Sequence, residues 1–294
     1  MNKIGFIGMG AMGLPMAVNL VKKSGMEVLG FDIVETQKEK FKSIGGSVAE
    51  NQDDIYKECD IVFQSLPSHS IITDSFERAM KYGKKGLIVI DTSSTAPDII
   101  IDYEKRMKDE GMYLLDSPIS GGVPGAENGT LAIMVGGNED IYSKVEPILK
   151  LIGYPMYTGG SGSGDVTKLV NNLIGGAVLV AYAEGYAFAA KAGIDLKTTF
   201  DATKSGFLGG PCYENKIPKI INRDYEPGAR IAVHRKDIVN AKDYAHKMGI
   251  DLPMTDVVLM VMDWMKDNGY INEDQAAMVR YYEDKMNVTV GEVE

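Results

Sequence analysis

The chain has 294 residues, enough for two domains at about 150 residues each. Hydrophobic residues make up 45% and charged residues 24%, the balance of a globular protein, which excludes a disordered or fibrous chain. The net charge of −10, with no Lys/Arg cluster longer than the short runs at 81–85 and Arg235-Lys236, argues against nucleic-acid binding, which needs a basic stripe. Cys59 and Cys212 lie far apart and the histidines are scattered at 69, 234 and 246, so neither a disulfide framework nor a metal site is expected. A cytoplasmic location fits this cysteine usage.

In the first half, short β-rich runs alternate with amphipathic stretches. Residues 3–7, 27–31, 61–65, 87–91, 113–116 and 131–135 read as strands, and 12–23, 36–44 and 97–110 as helices. Parallel strands need such crossovers, so the alternation predicts a parallel sheet wrapped by helices. The uncharged run 4–21 is no membrane span on this reading, because Gly5, Gly8, Gly10, Gly13 and Pro15 interrupt it. After Gly153 the texture changes to long helical stretches, and the glycine-rich segment 159–164 marks a boundary: 1–162 as an α/β domain, 163–294 as an all-helical domain. Residues 165–192 predict one long helix, apolar nearly all round in its middle, which suits a domain core or a subunit interface. Further helices are expected at 196–205, 213–221, 232–248, 253–268 and 273–287.

Gly8-Met9-Gly10-Ala11-Met12-Gly13 follows a strand and opens a helix, the context that a dinucleotide-binding fingerprint requires. Gly8 permits the tight turn, Gly10 the close approach of a pyrophosphate, and Gly13 the packing of helix on strand. Met9, Ala11 and Met12 complete the loop, and Met9 and Met12 either pack around it or line the cofactor channel. Asp32, nineteen positions beyond Gly13, can accept the ribose hydroxyls and repel a 2′-phosphate. NAD is therefore expected rather than NADP, although Lys38 and Lys40 downstream could serve a phosphate.

Four strings together resemble the β-hydroxyacid dehydrogenase family, the group that includes 3-hydroxyisobutyrate dehydrogenase, tartronate semialdehyde reductase and 2-(hydroxymethyl)glutarate dehydrogenase. They are the run from Gly5 through Gly13-Leu14-Pro15-Met16-Ala17-Val18-Asn19-Leu20, then Asp116-Ser117-Pro118-Ile119-Ser120-Gly121-Gly122, Lys168-Leu169-Val170-Asn171-Asn172, and Lys236-Asp237. The resemblance spans residues 4–285. It implies a Rossmann-type domain, a long interdomain helix, an all-α C-terminal domain, and reversible NAD(P)-linked oxidation of a 3-hydroxy acid. By resemblance, Ser94 and the Leu66-Pro67 turn approach the cofactor and Lys236 lies near the nicotinamide. Ser94 keeps the hydroxyl of the Thr found in many relatives, and Ser117 stands where Ala is usual, with little consequence expected.

Hydride transfer leaves or consumes a proton on the substrate oxygen, and no His falls in a motif to handle it. Lys168, on the first turn of the long helix, is the candidate acid/base. Burial and a cationic nicotinamide ring both favour its neutral amine. The competing reading is a solvated helix-start lysine. Asn172, four residues on, shares its helical face and could hold the hydroxyl. Ser120, Gly121 and Gly122 follow a strand and form either a simple turn or a nest for a substrate carboxylate. Arg230, His234 and Arg235 precede Lys236, as a solvated face or as a contact to a second anionic group; Trp264, Tyr281 and Tyr282 read as packing aromatics. The expected partner is a small carboxylate-bearing hydroxy acid, with no nucleic acid or membrane, and the apolar long helix favours a homodimer or homotetramer. An imine-type reductase on the same fold, or a non-catalytic cofactor-holding module, are the alternatives; Lys168 counts against the first, and Lys168, Asn172 and Ser120 together count against the second.

Overall fold

The structure, a computed structural model, describes residues 3–291. The chain forms two compact units, one ending at Lys168 and one beginning at Leu169. The first contains β1 (Lys3–Ile7), α1 (Gly13–Lys23), β2 (Glu27–Phe31), α2 (Glu35–Ser43), β3 (Ser47–Val48), α3 (Gln52–Glu58), β4 (Ile61–Gln64) and α4 (His69–Tyr82). It continues with β5 (Ile88–Asp91), α5 (Pro97–Asp109), β6 (Tyr113–Asp116), β7 (Ile119–Ser120), α6 (Gly122–Asn128), β8 (Leu131–Gly136), α7 (Glu139–Leu149) and β9 (Gly153–Gly159).

These strands form one sheet in the order β3-β2-β1-β4-β5-β6-β8-β7, with β9 paired to β8. The pairings from β3 to β6 are all parallel, and the order 3-2-1-4-5-6 is that of a doubly wound dinucleotide-binding sheet. Both faces are covered, and the strands' period of two sorts the core. Ile4, Phe6, Ile61, Phe63, Ile88, Ile90 and Leu115 pack on one side; Ile7, Val62, Val89 and Leu114 pack on the other. Burial on both faces is why these strands read as continuous apolar runs. Three further strands, β3, β7 and β9, extend the six expected. Two of them are two residues long, too short for a period to show. The third, β9, carries Gly153 and Pro155, and Tyr154 and Met156 are exposed, so it lacks the signature of a buried strand.

The helical unit starts partway along α8 (Ser163–Lys191) and adds α9 (Leu196–Thr203), α10 (Pro211–Ile221), α11 (Ile231–Lys247), α12 (Pro253–Asp267), a 3-10 turn (Gln275–Met278) and α13 (Val279–Met286). By length and composition α8 could cross a membrane. Here its residues Leu179, Val180, Ala183, Tyr186 and Ala187 form the core of the helical unit with Tyr213, Ile217, Ile238, Val258 and Met262. At Gly176 a Cβ would stand 3.0 Å from Val258, so the glycine admits α12 at close range. The single helix expected over 273–287 is instead the 3-10 turn followed by α13. Asp274 causes the break: its side chain accepts the Ala276 N–H and also the N–H groups of Gly228 and Ala229, while Lys216 Nζ donates to it at 2.7 Å. An isolated bridge ties Asp274 to Arg230 through the main chain.

Candidate active site

In a doubly wound sheet the carboxyl ends of the strands beside the change of direction form the ligand crevice. Here that point lies between β1 and β4. Gly8 leaves β1 with φ +85°, and a Cβ there would stand 2.4 Å from Ser65 O, just past β4. A side chain at Gly8 would push the loop off the sheet. At Gly13 a Cβ would meet Gly8 O at 1.9 Å, so these two glycines close the turn, whereas nothing lies within 4 Å of a Cβ at Gly10. The main chain at Gly10 and Ala11 thus faces open space at the head of α1, where a pyrophosphate fits. Met9 is fully buried, so of the two roles considered for it the structure shows packing, while Met12 is half-buried.

Asp32 closes the same corner. Its Oδ2 accepts the Met9 N–H at 2.6 Å and its Oδ1 the Val34 N–H at 2.8 Å. The carboxylate is therefore fixed in place against the glycine loop. Lys38, one of the two lysines considered for a phosphate, is ion-paired with Glu35.

The Leu66-Pro67 turn after β4 is held by Ser93, whose Oγ accepts the Leu66 N–H at 2.9 Å. Ser93 rather than Ser94 is the buried hydroxyl of this pair. From Ser93 a chain of buried polar contacts runs across the strand ends. Asp91 accepts the Ser93 N–H at 3.1 Å and the Thr95 hydroxyl at 2.7 Å; Asp165 accepts the Thr95 N–H at 3.1 Å; Asp116 accepts the N–H groups of Gly162 and Asp165, each at 3.0 Å. Asp116 therefore anchors the first turn of α8, the turn that leads to Lys168. Burial pushes the Asp91 and Asp116 carboxyls up from the usual range, opposed at Asp91 by the Ser93 and Thr95 contacts and at Asp116 by the main-chain N–H groups of Asp165 and Gly162. Sequence reasoning missed this chain, although a signal was present. Gln64, Asp91 and Asp116 end three successive apolar strands and stand side by side in register.

At the end of α8's first turns, Lys168 Nζ donates to Ile119 O at 2.8 Å. That carbonyl immediately precedes Ser120, and Gly121 and Gly122 follow with φ +134° and +62°. Both glycines are exposed and Ser120 is half-buried. The three residues chosen for a substrate carboxylate and the chosen acid/base thus share one edge of the sheet unit.

Asn172 and Lys236 belong to the helical unit, where they converge on one residue. Asn172 Nδ2 donates to Asp237 Oδ2 at 2.8 Å, and Lys236 Nζ stands 3.4 Å from Asp237 Oδ1. Arg235 pairs with Asp263 and His234 is buried against the Asn172 main chain.

The sequence model described as the NAD binding domain of 6-phosphogluconate dehydrogenase matches residues 3–160, and that described as NAD-binding of NADP-dependent 3-hydroxyisobutyrate dehydrogenase matches 162–282. The 2-(hydroxymethyl)glutarate dehydrogenase of Eubacterium barkeri is 33% identical over 98% of this chain and 97% of its own. The 2-hydroxy-3-oxopropionate reductase of Escherichia coli is 31% identical over 96% and 97%. Among solved structures, Mycobacterium tuberculosis 3-hydroxyisobutyrate dehydrogenase with L-serine superposes with a TM-score of 0.88 at 27% identity, covering 96% of this chain and 99% of that one. The chain belongs to the β-hydroxyacid dehydrogenase family and is an NAD(P)-dependent dehydrogenase. An imine reductase from Pseudomonas, at 19% identity and a TM-score of 0.63, shares the fold.

Proposed function

We propose that this enzyme carries out the reversible, NAD-linked oxidation of a small 3-hydroxy acid to the 3-oxo acid or semialdehyde, with Lys168 as general acid/base. The observation that supports it most is the Lys168 ammonium 2.8 Å from Ile119 O, beside the Ser120-Gly121-Gly122 turn. A carboxylate held by the Ser120 hydroxyl and the two glycine N–H groups keeps a short substrate within reach of that lysine. The bound dinucleotide supplies the hydride acceptor in oxidation and the donor in reduction. In oxidation Lys168 takes the hydroxyl proton as a neutral amine, and in reduction its ammonium returns the proton to the carbonyl oxygen. Asn172 holds the same oxygen through its amide, while Lys236, Leu66, Pro67 and Ser94 border the cofactor.

The names of the relatives support this substrate class, since 2-(hydroxymethyl)glutarate and 2-hydroxy-3-oxopropionate are both carboxylates with oxygen on a carbon β to the carboxylate. Asp32 supports NAD, because a carboxylate fixed against the glycine loop repels a 2′-phosphate. An exposed apolar line on α8, Val170, Ile174 and Phe188, supports a homo-oligomer.

The test is turnover, followed by nicotinamide absorbance, of 3-hydroxyisobutyrate, 3-hydroxypropionate, serine and 2-(hydroxymethyl)glutarate with NAD and NADP. At least one acid is expected to react while its amide does not, and Lys168→Ala is expected to lower kcat by about 10²-fold or more with NAD binding retained. Equal turnover of acid and amide, or a fully active Lys168→Ala enzyme, overturns the reading.

A further inference from the structure

Asp237 is a buried acidic residue of the helical unit to which the proposed chemistry gives no task. It is 4% exposed on α11, among Ile238, Ala241 and Ala245, which are also buried. A carboxylate in such surroundings carries a desolvation cost that an apolar residue would avoid. Its contacts are specific. Oδ2 accepts from Asn172 Nδ2 at 2.8 Å, while Oδ1 accepts no hydrogen bond from the described residues and has Lys236 Nζ 3.4 Å away. One carboxylate thus stands between the two functional side chains that the helical unit contributes.

A second contact fixes the other end of Asn172. His234, one turn before Asp237 and on the same face of α11, has Nε2 2.9 Å from Asn172 O, and Gln275 Nε2 lies 2.9 Å from His234 Nδ1. If Gln275 donates to Nδ1, the ring's proton sits on Nε2 and points at the Asn172 carbonyl. Gly176 lies beside this contact, where a Cβ would stand 3.6 Å from His234 Cε1 and 3.3 Å from Ile238. The main chain and the side chain of Asn172 are therefore each held by α11. With Nδ2 turned toward Asp237 and Oδ1 accepting from Asn171 Nδ2 at 3.0 Å, the amide is set in one orientation and one N–H of Nδ2 is left to donate elsewhere.

We propose that Asp237 is a positioning residue: it orients and polarises the Asn172 amide so that its second N–H meets the substrate oxygen, and it holds Lys236 with its other oxygen. This rests on the assignment of Asn172 to the substrate oxygen given above. A carboxylate accepting from one N–H of an amide makes the other a stronger donor, and an amide free to rotate would lose the geometry that orientation effects depend on.

The experiment is a double-mutant cycle on the holoenzyme with NAD and the best 3-hydroxy acid of the panel, using Asn172→Ala, Asp237→Asn and the pair, with kcat, KM and thermal midpoint read for each. Asp237→Asn is expected to lower kcat by about ten- to a hundredfold and to add nothing once Asn172 is alanine. Asp237→Glu, which keeps the charge but displaces it by one methylene, is expected to lower kcat as well, and it serves as the second variant if Asp237→Asn does not fold. Full additivity in the double variant, or a lowered thermal midpoint with kcat unchanged, overturns the proposal. An unimpaired Asn172→Ala enzyme instead removes Asn172 from the chemistry, and the proposal fails with that earlier assignment.

Discussion

Asp116 in the sheet unit and Asp274 in the helical unit are buried to the same degree, at 1% and 0% exposed, and each gathers main-chain N–H groups where the chain changes direction. Asp274 has in addition the Lys216 ammonium at 2.7 Å. The two carboxyls then move in opposite directions. At Asp116 burial wins and the carboxyl is pushed up; at Asp274 burial also opposes the charge, but Lys216 and the N–H groups of Ala276 and Ala229 outweigh it and the carboxyl is held down. N–H dipoles alone reduce the cost of a buried carboxylate, and a cation reverses it.

The most forceful way to break this contrast is to remove Asp274. Asp274→Ala leaves Lys216, itself 7% exposed, as an uncompensated buried charge and frees three N–H groups. The expected loss is about 3–5 kcal/mol. Trp264 is the single tryptophan and lies in the helical unit, so its fluorescence during denaturation reads that unit specifically. An unchanged midpoint would mean that the pair contributes nothing. Asp116→Asn is expected to cost less, about 1–3 kcal/mol, because one N–H at the start of α8 then faces an amide NH₂ instead of an acceptor.

The contrast sharpens with pH. Asp274, whose carboxyl is held below its ordinary value, contributes stability that is present above that ordinary value and lost as pH falls through the lowered one. Asp91 and Asp116, whose carboxyls are pushed above that ordinary value, contribute stability that is fully present below it and lost as pH rises through the raised ones. Asp274→Asn should therefore flatten the acid limb of the Trp264 transition, and Asp116→Asn the rise-in-pH limb of whole-chain unfolding followed by circular dichroism. The same limb flattened by both variants would contradict the opposite assignments.

Much of the sheet unit was legible because parallel strands buried on both faces give continuous apolar runs and the glycine loop follows one of them. Asp32, Lys168 and the Ser120-Gly121-Gly122 turn could be named as candidates because each follows such an element or falls in a string that resembles the family. The chain from Ser93 through Asp91, Thr95 and Asp165 to Asp116 was not, since its long links join residues 46 to 70 positions apart by contacts that no period records. Asp274 escaped for a related reason. Its partners at 216, 228 and 229 are brought to it by tertiary folding alone, and without them the segment reads as one helix.

The smallest expected effect concerns Ser117, where the sequence promised little consequence. Its side chain is 0% exposed, and its Oγ has no hydrogen-bond partner among the described residues, although its N–H donates to Asp91 O at 2.7 Å. A main-chain contact survives any substitution except proline. The hydroxyl has been taken out of water with nothing in return, which costs about 1–3 kcal/mol. Replacing it by hydrogen removes that cost and leaves a hollow of only one atom, whose own penalty is smaller. Ser117→Ala is therefore expected to raise stability by about 1 kcal/mol, unlike Asp116→Asn at the neighbouring position, whose carboxylate does have donors to lose. Chemical denaturation of the two variants side by side decides it: if Ser117→Ala is destabilised as much as Asp116→Asn, the hydroxyl belongs to the polar chain across the strand ends, and that chain is longer than the contacts described here.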